Sequence, residues 1–196
     1  AQITLIVTSR ERLLLRGEQL LPLKGLETVA NEDSPTDSSA AQLFMHIARR
    51  TVPDLQFHEG DAEQLNRICR LVDGMPLGLE LAAAWVGLLP LSEIATEIEQ
   101  SLALLVTRHH DVPERHQNMQ AMLDVSWSRL NPSQQRAFQS LTFFRGGFTR
   151  TAALQVAGAG LPLLVTLVNK SWLAYDWQND RYTIHELLRQ YAAQLL

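Results

Sequence analysis

The chain is poor in the residues and segments that mark several classes of protein. Its 196 residues contain one cysteine, Cys69. A disulfide framework and a thiolate metal cluster are therefore excluded, which fits a reducing compartment. No apolar run reaches the ~20 residues that cross a bilayer, and no basic segment followed by an apolar one opens the chain. We therefore expect a cytoplasmic protein without membrane segments.

Lysine is also scarce, because Lys24 and Lys170 are the only lysines in the chain. A phosphate-binding P-loop needs Gly-Lys-Ser/Thr on a glycine-rich turn, where backbone N–H groups and the lysine hold the phosphates. Neither lysine follows a glycine. The sequence therefore predicts that this chain does not hydrolyse ATP and carries no catalytic residue.

The composition is otherwise that of a folded protein with two unlike parts. Hydrophobic residues make up 46% and charged residues 19% of the chain, enough for one core or for two small ones. Residues 1–128 carry 10 Lys/Arg and 18 Asp/Glu, whereas residues 129–196 carry 7 and 3. This asymmetry predicts two domains of different character. Neither part is as strongly basic as a typical nucleic-acid binder.

The first residues predict a buried β-strand. The segment Ile3–Ser9 is β-branched and almost entirely apolar, which is typical of a central parallel strand covered on both faces. Leu20–Leu23 is the other strand candidate nearby, and Pro22 would confine it to a sheet edge. We expect the chain to begin inside an α/β domain. To cover its apolar side chains, Ile3–Ser9 would pair with Leu20–Leu23, fold onto the helical domain or pair with a second copy.

A polar linker at residues 31–38 separates this segment from a helical region. Apolar residues then recur at helical spacing as far as about residue 105. Ser39 with Gln42 predicts a capping box for the first helix. Asp61 is expected to cap the second helix. The third should begin at Pro76 and continue through the apolar segment Leu77–Leu89, and the fourth should begin at Ser92.

The last third of the chain shows the order of a winged helix, namely three helices, a β-hairpin and a closing helix. Asn131-Pro132 and Thr149 are good helix caps, and Gly158 is a good helix stop. The remaining predicted segments are a helix at Leu161–Lys170, strands at Trp172–Trp177 and Arg181–Ile184, and a helix at His185–Leu196.

Four short motifs, taken in order, resemble those of STAND (NB-ARC-type) signalling ATPases, most closely the bacterial transcriptional-regulator type. They are Ile6-Val-Thr-Ser-Arg10, Gly74-Met-Pro-Leu77, Phe144-Arg-Gly-Gly-Phe148 and Ile184-His-Glu186. The resemblance covers nearly the whole chain. It implies a mainly α fold with a remnant of a P-loop α/β domain at 1–30, a helical bundle domain at 31–110 and a winged-helix domain at 111–196.

The resemblance assigns cofactor-binding roles to three residues. Arg10 would sense the terminal phosphate, and a guanidinium can bind phosphate oxygens through two bonds. Pro76 would pack by the adenine, and His185 would contact the β-phosphate of ADP from the winged helix. The chain departs from the family motifs at Ser9, Met75, Ile184 and Glu186, which replace threonine, leucine, methionine and aspartate.

The function implied by the resemblance is an ADP/ATP switch that regulates transcription. ATP or ADP with Mg²⁺ would bind in the full-length protein, a slow ATPase whose P-loop domain precedes this chain. The chain alone would hold no nucleotide tightly. ADP would clamp the nucleotide-binding domain to the winged helix through His185, and ATP would release it. The active form would self-associate or expose an effector domain.

Two other functions fit parts of the sequence. One is a winged-helix DNA-binding protein, but the third helix, Leu161–Lys170, is mostly apolar where a DNA reader offers polar and basic side chains. We therefore expect no direct DNA binding. The other is a helical partner-binding module without a nucleotide role. A metal site is not expected, because His109, His110 and His116 fall in a loop without matching acidic or cysteine ligands.

Overall fold

The computed structural model describes residues 5–28, 36–58, 60–106 and 118–196. Within these ranges the chain is mainly helical, and its sheet is a two-stranded antiparallel hairpin. The predicted fold class, mainly α with a helical bundle and a winged-helix-like part, is confirmed. In chain order the elements are α1 (Ser39–Thr51), α2 (Asp61–Leu71), α3 (Pro76–Ala83), α4 (Leu91–Gln100), a 3-10 turn (Leu102–Leu104), α5 (Met119–Trp127), α6 (Pro132–Leu141), α7 (Arg150–Ala157), α8 (Leu161–Asn169), β1 (Ala174–Asp176), β2 (Arg181–Thr183) and α9 (Glu186–Gln194).

Contacts divide the chain into two compact units. The bundle unit comprises Leu23–Leu130 and Glu186–Leu196, and the wing unit comprises Ala1–Pro22 and Asn131–His185. Helices α5 and α9 thus belong with the bundle. The domain boundaries predicted at residues 30 and 110 stay predictions.

The core of the bundle unit lies between two pairs of helices, α1 with α3 and α2 with α4. Helices α1, α2 and α4 each bury residues three or four positions apart, on one helix face, whereas α3 buries five of its eight residues. Burying a large apolar side chain contributes about 1.5–3 kcal/mol, so these buried residues hold the bundle together. The fully buried side chains include Phe44, Leu65, Ile68, Leu79, Ile94, Ile98, Leu102 and Leu105.

Helix α1 is capped by a different serine from the one predicted. The N-cap is Ser38, whose Oγ accepts the N–H of Ala41 at 3.2 Å. The predicted capping box of Ser39 with Gln42 does not form. The Oγ of Ser39 instead accepts the N–H of Glu27 at 3.0 Å. A contact with a distant segment therefore displaces the local pattern by one residue.

Helices α2, α3 and α4 begin within one residue of their predicted starts. Asp61 is the first residue of α2 rather than its cap, and its carboxylate accepts the N–H of His58 at 2.9 Å. Pro76 is the first residue of α3, as predicted, but that helix already ends at Ala83. Helix α4 begins at Leu91, one residue before its predicted start. Local start signals were therefore more accurate than predicted lengths.

The wing unit has the predicted order of three helices followed by a hairpin. The strands are shorter than predicted, because only Ala174–Asp176 pairs with Arg181–Thr183. Phe148 widens this small sheet, since its N–H and carbonyl both bond to Tyr182 at 2.8 Å. In the core of the wing unit, the rings of Phe138 and Trp172 meet edge to face with centroids 4.9 Å apart, a favourable aromatic geometry.

The helix caps predicted for the wing unit are confirmed. Asn131 and Gln134 form a reciprocal capping box at the start of α6. Thr149 caps α7 by accepting the N–H of Ala152 at 3.3 Å. Gly158, with φ +62°, ends α7 in the left-handed conformation. These signals are local, so the sequence alone determines them.

The predicted N-terminal strand is wrong for residues 5–9, which form no regular structure. Leu5 is 84% and Ile6 91% exposed. Pairing with Leu20–Leu23, one of the three arrangements considered, does not form either, since that segment is also irregular. A strand needs a neighbour for its backbone N–H and C=O groups, and the described part of the chain offers none here. Ile3 and Thr4 lie outside the described residues.

None of the described helices alone is long and apolar enough to cross a bilayer. Helices α7 and α8 pass the length and composition criteria only when joined, and they are bent by 103° at the break between them.

Candidate functional site

The three predicted binding residues lie on separate elements. Arg10 belongs to the N-terminal segment and His185 lies between β2 and α9, both in the wing unit. Pro76 is the first residue of α3, in the bundle unit. Arg10 and Pro76 are exposed, whereas His185 is half-buried. The nucleotide-binding roles assigned to them stay predictions.

The Gly-Met-Pro motif forms a tight turn between α2 and α3. Asp73 and Gly74 both adopt the left-handed backbone conformation, with φ +49° and +62°. This conformation costs free energy at aspartate and almost none at glycine. The N–H of Gly74 donates to the carbonyl of Cys69 at 2.9 Å, which closes the end of α2. Pro76 follows at the first helical position, where its missing N–H is not needed.

Arg10 is held by its backbone at the end of α8. The Oγ of Ser171 donates to the carbonyl of Arg10 at 2.6 Å. Two residues later, the N–H of Arg12 donates to the carbonyl of Asn169 at 3.2 Å. These two bonds anchor residues 10–12 to the end of α8 without strand pairing.

His185 is followed at once by an ion pair within α9. The Nε of Arg189 donates to a carboxylate oxygen of Glu186 at 2.7 Å, and its Nη2 contacts the other oxygen. This hydrogen bond raises the pKa of Arg189 above its ordinary value. Glu186 stands where the family motif has aspartate, and here its charge is directed along its own helix.

A cluster that sequence reasoning missed joins α9 to α5 in the bundle unit. The hydroxyl of Tyr191 donates to Asp124 at 2.6 Å, and its ring meets Trp127 edge to face with centroids 5.8 Å apart. Burial of the side chain, and to a smaller extent its hydrogen bond to Asp124, raises the pKa of Tyr191 above its ordinary value. We call these three residues the Tyr191 anchor. No local pattern reveals it, because Tyr191 and Asp124 are 67 positions apart.

Cys69 is a core residue, as its place in the apolar stripe of α2 predicts. Its side chain is fully buried, and burial raises the pKa of the thiol to about 12. It is therefore protonated at neutral pH and a poor nucleophile.

No group of histidine, cysteine and acidic side chains in the described ranges could hold a metal ion. His109, His110 and His116 lie outside those ranges.

The chain resembles curated proteins over its whole length. It is 31% identical over 204 residues to proteins of Mycobacterium tuberculosis and Mycobacterium bovis that bear the name "Putative HTH-type transcriptional regulator". It is 27% identical over 206 residues to an uncharacterized protein of Mycobacterium tuberculosis. The chain spans 22% of the length of those regulators and 50% of the uncharacterized protein. No protein-family model matches the chain.

Proposed function

We propose that this chain is the regulatory part of a nucleotide-dependent switch in a bacterial transcriptional regulator. Similarity to the mycobacterial regulators along the entire chain carries the regulator part of the proposal, because it includes both units rather than one common module. The order of a helical bundle and a winged-helix-like part supports the STAND type of switch. The Asp73–Pro76 turn, which ends in an exposed proline, suits contact with a flat base.

In the proposed switch, each of the three residues contacts a different part of the nucleotide. Pro76 packs against the adenine, His185 contacts the β-phosphate of ADP, and Arg10 senses the terminal phosphate of ATP. A ligand shifts a conformational equilibrium only by its difference in affinity between the two states. The contact of His185 with ADP supplies that difference and favours the closed state.

The full-length regulator would supply what the switch needs beyond this chain. A preceding P-loop domain would hold ATP or ADP with Mg²⁺ and hydrolyse ATP slowly, while this chain hydrolyses none. ATP-bound molecules would open, then self-associate or expose an effector domain. The chain would act in the cytoplasm.

DNA reading by the winged helix is the weaker alternative. The exposed positions on α8 include Leu161 at 40% and Val165 at 46% exposure. Lys170, just past its end, carries the sole charge from Leu161 to Lys170. A recognition helix instead presents polar and basic side chains to the groove. We therefore propose no direct DNA binding by this winged helix.

The test is ADP retention by the full-length protein with His185→Gln. Losing a bond to a charged phosphate should speed ADP release by about tenfold or more. Release is measured by stopped-flow fluorescence of a labelled ADP. His46→Gln is the matched control, because His46 is an exposed histidine on α1, and it should leave release unchanged.

Three results would count against the proposal. One is an equal release rate in the wild type and the His185→Gln protein. Another is a full-length protein that binds neither ADP nor ATP. The third is tight, saturable binding of this 196-residue chain to mixed duplex DNA at physiological salt, which would favour the DNA-reading alternative.

A further inference from the structure

The backbone of Gly25 and Leu26 lies directly against the turn that precedes α3. The N–H of Leu26 donates to the carbonyl of Gly74 at 2.8 Å. A Cβ added to Gly74 would lie 2.8 Å from the nitrogen of Leu26 and would overlap its carbonyl oxygen. A Cβ added to Gly25 would lie 3.0 Å from the carbonyl carbon of Asp73 and would overlap the oxygen of that group. Only glycine fits at both positions without a shift of the backbone.

The same segment is anchored on its other side to the start of α1. The N–H of Glu27 donates to the Oγ of Ser39 at 3.0 Å, and the carbonyl of Glu27 accepts the N–H of Ala40 at 3.1 Å. Residues 25–27, which we call the glycine clamp, therefore bridge α1 and the turn before α3. All of these contacts lie within the bundle unit.

We infer that the glycine clamp positions Met75 and Pro76 for the base of the bound nucleotide, and that Gly25 is the positioning residue. This inference rests on the proposed function, in which Pro76 contacts the adenine. The turn is fixed at one side by the end of α2 and at the other by the clamp. A methyl group at Gly25 must push the Asp73 carbonyl away, and the displacement passes through Gly74 to Met75 and Pro76.

The discriminating measurement compares two probes, ADP and inorganic pyrophosphate, on the full-length protein. Pyrophosphate has no base, so a change at Pro76 alone does not affect its contacts. Gly25→Ala should weaken ADP binding by about tenfold, while pyrophosphate binding changes by less than about twofold. A merely structural defect would weaken both probes together.

Gly60→Ala is the matched control for an added methyl group. A Cβ at Gly60 meets no atom within 4 Å, and its φ of −70° is ordinary for alanine. Binding of both probes should therefore be unchanged in this variant.

Ser39→Ala tests the clamp without adding bulk, and it decides the matter if Gly25→Ala does not fold. It removes the acceptor of the Glu27 N–H and leaves a good helix former in α1. ADP binding should weaken by about twofold to threefold, with pyrophosphate unaffected.

Equal loss of ADP and pyrophosphate binding, or unchanged ADP binding in the folded variants, overturns the inference. If the unsubstituted protein binds no ADP, the proposed function fails and the inference fails with it. That outcome can be told apart from failure of the inference alone, because it is observed with the unsubstituted protein.

Discussion

Replacing Tyr191 with phenylalanine should measurably weaken the attachment of α9 to the bundle unit. The ring is 1% exposed and would keep its edge-to-face contact with Trp127, so the change removes the hydroxyl and little else. A hydrogen bond to a charged group contributes about 1.5–3 kcal/mol. Asp124 is exposed, so water can replace the lost donor. We therefore expect Tyr191→Phe to lower the free energy of unfolding by the low end of this range, about 1.5 kcal/mol.

The assay is urea unfolding followed by tryptophan fluorescence, because Trp127 lies in the Tyr191 anchor. Asp124→Ala and the double variant complete a double-mutant cycle, which should give a coupling free energy of about 1 kcal/mol. Tyr175→Phe is the matched control, since its hydroxyl makes a 2.7 Å bond to Asp180 on the exposed hairpin. Tyr175→Phe should lower the free energy of unfolding much less than Tyr191→Phe does.

The reasoning would be refuted by a Tyr191→Phe protein as stable as the Tyr175→Phe protein. A coupling free energy of zero between Tyr191 and Asp124 would refute it equally. Either result would mean that packing, without the hydrogen bond, holds α9 in place.

Two further predictions concern Cys69 and ATP. The thiol of Cys69 ionises near pH 9 when unfolded but near 12 when native. Its contribution to stability is therefore complete below about pH 9 and is lost above it, by up to about 1.4 kcal/mol per pH unit. Between pH ~9 and ~11 the wild-type urea midpoint should fall more steeply than that of Cys69→Val, and parallel curves would contradict this. The purified chain should release no phosphate from ATP beyond a contaminant control, because neither Lys24 nor Lys170 follows a glycine; turnover in repeated preparations would disprove it.

The parts of the fold that the sequence predicted well depend on local interactions. The cap at Asn131 accepts the N–H of Gln134, three positions along the chain, and Gly158 needs only its own backbone freedom. Pro76 starts a helix because its ring already fixes φ. Such signals act within one turn of the chain, so they can be read without knowing the rest of the fold.

The parts that the sequence did not predict depend on distant partners. Ile6 and Val7 favour a strand, but a strand forms only where a second strand lies beside it. The Oγ of Ser39 accepts the N–H of Glu27, 12 positions away, while Ser38 caps α1. The clamp of Gly25 on the Asp73–Gly74 turn likewise joins segments about fifty residues apart. The motifs pointed to Arg10, Pro76 and His185, which lie on separate elements, and their nucleotide-binding roles stay predictions.

The bundle unit consists of two segments that are separated in the sequence, and this affects how the protein folds during synthesis. Its last part, Glu186–Leu196, follows the whole of Asn131–His185. Closing the 67-residue separation of Asp124 and Tyr191 as an open loop costs on the order of 4 kcal/mol in chain entropy. Prior folding of the wing unit removes much of that freedom beforehand. On the ribosome, α9 emerges after the whole of Asn131–His185, so a nascent chain that has not yet exposed Tyr191 leaves Trp127 without this contact and open to chaperones and proteases.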